Sequence, residues 1–129
     1  MIKQMRLVVH AADYEEAVQF YRDSLGMPEL ESYSGNGGAE VMILDAGRAT
    51  LELSNTAQIE FIDAVEVGER VAPHLRVAFE VADSEAATRI AVDAGARLIA
   101  EPVETPWRSL NSRLDGPAGL QLTLFEELD

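Results

Sequence analysis

The sequence predicts an α+β fold: two βαβββ modules forming a curled, half-barrel mixed sheet with the helices on its outer face. Three observations predict it. Residues 6–25, RLVVHAADYEEAVQFYRDSL, align without a gap on residues 76–95, RVAFEVADSEAATRIAVDAG, so the chain repeats itself. Each copy reads as an apolar strand, an Asp and an amphipathic helix. Each helix is then followed by three strand-like segments punctuated by turn residues.

The repeat pairs Arg6 with Arg76, Ala12 with Ala82, Asp13 with Asp83, Glu15 with Glu85, Ala17 with Ala87 and Asp23 with Asp93. In the first copy, residues 5–11 form the strand, and Asp13 caps a helix with Glu16 three residues on, a capping box. That helix places Ala17, Phe20, Tyr21 and Leu25 on one face, and Gly26 provides a left-handed stop. Strands follow at 28–34, 39–45 and 48–54, separated by Gly-Asn-Gly-Gly and Asp-Ala-Gly turns. Residues 56–71 link the halves and include a short helix with Ile59, Phe61, Ile62 and Val65 inward. In the second copy, residues 75–82 form the strand, Asp83 caps the helix, and Ala86, Ala87, Ile90 and Ala91 form its buried stripe up to Gly95. The closing strands run over 97–103, 108–114 and 119–126. The 129 residues are thus expected to be one domain: module 1 over about 1–55, the linker over 56–71 and module 2 over 72–129. Two such curled sheets side by side enclose a hollow, where ligands prefer to bind.

Composition narrows the function. A net charge of −13 argues against nucleic acid, whose partners concentrate Lys and Arg, and favours cationic ligands at long range. No apolar run approaches the length that spans a bilayer and no signal peptide is recognisable, so a cytoplasmic location is expected. The absence of cysteine excludes disulfides, thiolate metal ligands and cysteine nucleophiles.

The order and spacing of Asp13, Phe20-Tyr21, Leu25-Gly26, Leu51-Glu52-Leu53, the run Ala78 to Asp83, and Asp115 through Phe125 resemble the vicinal oxygen chelate superfamily. This is the group of glyoxalase I, extradiol dioxygenases, fosfomycin-resistance enzymes and bleomycin-binding proteins. The resemblance implies a homodimer with a small organic ligand in the hollow of the sheet. It also implies four metal-ligand positions, which fall here on Arg6, Glu52, Arg76 and Thr123.

Arginine only donates and stays protonated, so this set is not a metal site; the expectation is no metal and no other cofactor. Arg6 and Arg76 are instead expected to converge on Glu52, holding its pKa low. A metal on His10, Glu52 and His74 requires unlike depths in the two modules, which the repeat opposes. His10 remains a candidate for the upper cavity, or a structural residue. Trp107, on a loop between strands, either stacks on a flat ligand or plugs the hollow. Tyr33 and Met42 are further candidates for lining it. Glu126 is expected as a solvated tail residue on the opposite face from Thr123. The expected function is therefore metal-free binding of a small molecule, as in bleomycin resistance. The alternative is a glyoxalase-like lyase, isomerase or dioxygenase, using a divalent metal or Glu52 as base.

Overall fold

The computed structural model describes residues 2–24, 27–116 and 119–129, without the side chains of Phe20, Tyr21 and Ser24. The expected inward placing of Phe20 and Tyr21, and the Leu25-Gly26 helix stop, lie outside what is described.

Strand β1 (Ile2–His10) leads into α1 (Tyr14–Val18), which continues as a π-helical stretch over Gln19–Ser24. Strands β2 (Glu29–Ser34), β3 (Glu40–Asp45) and β4 (Thr50–Ser54) complete the first module. Helix α2 (Thr56–Glu66) bridges to β5 (Leu75–Val81) and α3 (Ser84–Asp93), followed by β6 (Arg97–Glu104), β7 (Ser109–Asp115) and β8 (Gln121–Glu127). The capping residues act as their chemistry dictates: Asp13 accepts from the Glu16 amide at 3.1 Å, and Asp83 from the Ala86 amide at 2.9 Å. Gly95, with φ 111°, supplies the positive φ that ends α3.

The strands form one curled, unclosed sheet in the order β2-β3-β4-β1-β5-β8-β7-β6. Its register turns the sequence repeat into a pseudo-twofold axis between β1 and β5. Arg6 lies opposite Ala78, and Val8 opposite Arg76. Outward from that axis, Glu52 neighbours Val8 and Thr123 neighbours Ala78. One strand further, Ile43 faces Glu52 and Arg113 faces Thr123.

Each module has its own apolar core on the outer face. Val18 of α1 packs on Met42, Leu44 and Leu53. Ala87 and Ala91 of α3 pack on Val81, Leu114 and Leu124. Met42 therefore faces away from the hollow, because the period of two that turns Val41 and Ile43 inward turns Met42 outward.

Two other expectations are corrected. Ile90 is 69% exposed, since α3 is rotated to bury Ser84 and Thr88, whose hydroxyl bonds Ser112 Oγ at 2.7 Å. Glu126 does lie on the helix-bearing face, but it is no free tail residue. Its Oε2 accepts from the Ser84 amide at 2.9 Å and so helps cap α3.

Helix α2 is the exception to the outer-face pattern. Asn55 caps it, accepting from the Gln58 amide at 2.9 Å and the Glu40 amide at 3.1 Å. The helix crosses the concave face, so Phe61, Ile62 and Glu66 form a wall of the hollow opposite the sheet.

A candidate ligand cavity

The hollow between the sheet and α2 is a cavity of about 440 Å³. Alternation along the strands decides its lining: β1 contributes Arg6 and Val8, β3 Val41 and Ile43, β5 Arg76 and Ala78, and β8 Thr123 and Phe125. Glu52 of β4 and Trp107 of the β6–β7 loop join them. Of the six residues expected around a ligand, Arg6, His10, Glu52, Arg76, Trp107 and Thr123, all but His10 therefore share one space.

His10 does not join them. Its Nε2 hydrogen-bonds Thr56 Oγ1 at 2.7 Å at the start of α2, and it is absent from the cavity lining. The helix that closes the hollow ends the cavity short of this end of β1. Tyr33 reaches the rim from the exposed edge strand β2, its hydroxyl donating to Glu31 at 2.6 Å.

Arg6 is engaged on every side. Its Nε donates to Gln4 at 2.7 Å, and its guanidinium lies 3.6 Å from Glu52 and 3.3 Å from Glu127. It also stacks over Phe125, 5.1 Å from the ring centroid. Arg76 differs. It is 6% exposed, and its Nη1 donates to the Thr123 hydroxyl. Its Nε finds no partner, and among the described residues no carboxylate lies within 4.0 Å of it. The expected convergence on Glu52 is thus made by Arg6, while Arg76 is held by Thr123.

Glu52 titrates in the direction opposite to that expected. Burial pushes its carboxyl above the ordinary 4.5, outweighing the pull of Arg76 and Arg6, and the charge of Glu66 adds to the rise. Burial and the neighbouring Arg113 likewise hold the Arg76 guanidinium below its ordinary value.

Behind this set lies a network that sequence reasoning missed. Arg113 is fully buried and donates to Asp63 and to Glu66 of α2, both at 2.7 Å, and to Gln121 of β8 at 3.0 Å. Asn111 donates to the same Glu66 at 2.8 Å, and the Val71 and Ala72 amides close on Asp63 at 2.8 Å. Burial opposes ionisation of Asp63, yet the Ala72 amide, Arg113 and the Val71 amide together hold its carboxyl below the ordinary 3.8. Two signals pointed here. The repeat sets Arg113 against Ile43 in an inward register, and Asp63 and Glu66 are spaced to share a helix face.

Trp107 stands at the mouth, 45% exposed, its ring 6.2 Å from Phe61 and tilted by 51°. Arg108 beside it takes the left-handed conformation, φ 64°, while its amide bonds the Thr105 carbonyl at 3.1 Å. That tight turn aims the indole at the opening.

The set does not suit a divalent metal. Guanidinium groups only donate, and the described residues contain no group of three or more His, Asp or Glu that could hold an ion. The arrangement can instead hold polar atoms on Arg76 and Thr123 with an apolar body beside them.

None of the curated proteins searched matches the chain. Among solved structures it is similar to a hypothetical protein of Bacillus halodurans, 18% identical, TM-score 0.70, covering 100% of this chain and 95% of that one. It is also similar to methylmalonyl-CoA epimerase of Mycobacterium tuberculosis, 19% identical with TM-score 0.65, covering 99% of this chain and 88% of that one. A glyoxalase/bleomycin resistance protein/dioxygenase superfamily member from Vibrio splendidus is 11% identical, TM-score 0.65, covering 98% of this chain and 100% of that one. At such identities the likeness is one of fold. The superfamily's own profile, however, matches residues 3–124, nearly the whole chain, and the chain belongs to the Glyoxalase/Bleomycin resistance protein/Dioxygenase superfamily.

Proposed function

We propose that this protein binds a small organic molecule in the concave cavity without a metal. The supporting observation is that Arg6, Glu52, Arg76 and Thr123, the positions the family resemblance gives to metal ligands, line one cavity that is open and partly apolar. The test is metal content and melting temperature, with and without chelator and then with Ni²⁺, Zn²⁺, Mn²⁺ and Fe²⁺. The expected outcome is no stoichiometric metal and no thermal shift. A bound metal, or a rise of several degrees, would count against the reading. A calorimetric screen of anionic, neutral and cationic metabolites completes it; no affinity better than millimolar from any class would sink the binding role.

One observation favours a second reading, an isomerase moving a proton beside a carbonyl. A part-buried Glu52 whose pKa is raised is a better base at neutral pH than a carboxylate held low by arginines. Proteins of similar fold include methylmalonyl-CoA epimerases. Incubation with methylmalonyl-CoA in D₂O distinguishes the two. Under the binding reading no deuterium enters above the buffer rate; exchange that Glu52→Gln abolishes would establish the enzyme.

A further inference from the structure

Four guanidinium groups lie in or behind the cavity, and three are already engaged: Arg108 donates to Glu104 and to the Asp129 carbonyl. Arg113 is shared by Asp63 and Glu66. Arg6 is divided among Gln4, Glu52, Glu127 and the face of Phe125. Arg76 and Arg113 both leave Nε unpartnered, but among the described residues Arg76 alone of these groups has no ion pair: its one acceptor is the neutral Thr123 hydroxyl, while Glu66 and Glu52 act on it only from longer range. A buried cation in that condition is costly to keep unless something completes it. A planar two-oxygen anion matches the fork of a guanidinium edge.

The charges also limit the anion. Arg113 is paired by Asp63 and Glu66, and Arg6 by Glu52 and Glu127, whereas among the described residues no carboxylate lies within 4.0 Å of Arg76. Arg76 can therefore pair one negative charge, and the second charge of a dianion would face the carboxyl groups of Glu31, Glu52, Glu66 and Glu127 that also line the cavity. The opposite side carries more apolar surface: where the second module places Asn111 and Arg113, the first places Val41 and Ile43, with Val8 and Ala78 on the far side of Glu52. The chain's net charge of −13 draws cations from afar, but inside the hollow Glu66 is paired with Arg113, and Glu52 and Glu127 with Arg6.

We infer that the ligand is an amphipathic monocarboxylate, its carboxylate on Arg76 and Thr123 and its hydrocarbon body along Val8, Val41, Ile43 and Ala78. This rests on the cavity-binding reading and adds the class of ligand. Four octyl probes differing only in head group test it by calorimetry: octanoate, octanamide, octylammonium and octyl phosphate. Octanoate is expected to bind about tenfold or more tighter than the other three, the scale of one charge-assisted hydrogen bond. Arg76→Met should cost octanoate that advantage while leaving octanamide within about threefold. Should the variant fail to fold, [1-¹³C]octanoate bound to the unaltered protein provides an independent check. Its carboxyl should titrate below that of free octanoate. Equal binding of all four probes, or preference for octylammonium, overturns the carboxylate assignment while the cavity-binding reading stands. Preference for octyl phosphate overturns it in favour of a phosphate seat. Binding of none overturns it too, and the cavity-binding reading then stands or falls on the wider metabolite screen.

Discussion

Arg113 shows what one side chain can decide. Its guanidinium joins β7 to α2 through Asp63 and Glu66 and to β8 through Gln121, with none of it exposed. Arg113→Met would strand two carboxylates in the interior, a loss of about 3–5 kcal/mol. Urea unfolding should show the midpoint collapse; a change under about 1 kcal/mol would mean the pairs are not buried as described. Two carboxyls of this region respond to pH with opposite sign. Asp63 has a folded pKa below 3.8, so its stabilisation is present above that pH and is lost as the pH falls through the folded value. Glu52 has a folded pKa above 4.5, so its most favourable contribution lies below 4.5 and is lost as the pH rises through the folded value. Stability curves against pH should therefore fall away below about pH 4 for the unaltered protein. Glu52→Gln should gain on it as the pH rises from 4.5, and parallel curves would refute the raised pKa of Glu52.

At the level of elements, α2 matters more than its length suggests. Asn55 ties its first turn to β3 and to the Gly38 carbonyl at 2.8 Å. Asn55→Ala should cost about 1–2 kcal/mol, read by thermal unfolding. Helix α3 offers the contrary case: Ile90→Lys should move stability by less than about 0.5 kcal/mol, since Ile90 faces water. These two helices mark how far the sequence could be read. The strand–Asp–helix repeat was legible because local chemistry specifies it, in the caps, turn residues and period-two alternation. Arg6, Glu52, Arg76 and Thr123 followed once the repeat set their register. The side of the sheet that α2 covers was not legible. An amphipathic helix reveals that it has an inner face, but not which layer that face meets. Asp63, Glu66, Asn111 and Arg113 stayed hidden for that reason. Ile90 misled because small and hydroxylated residues, Ser84, Ala87, Thr88 and Ala91, take the close approach to the sheet that a bulky side chain cannot.

On the scale of the whole molecule, the overall charge and the unpaired Arg76 carry opposite signs. A chain of net charge −13 repels a carboxylate in solution, while Arg76 receives it inside. Salt shortens the reach of the outer field to about 8 Å at physiological strength but hardly touches a buried contact. Octanoate should therefore associate faster as KCl is raised from low to physiological concentration, measured by stopped flow. Slower association would be the behaviour of a cationic ligand.

The near-twofold between β1 and β5 has its own bearing on how a molecule lies in the hollow. Had the halves remained identical, an elongated guest could enter head-first or tail-first with equal energy, occupying a mixture of two poses. Ile43 against Arg113, and Glu52 against Thr123, remove that equivalence. The cavity thereby acquires a direction, and a guest with two unlike ends can be held in a single orientation.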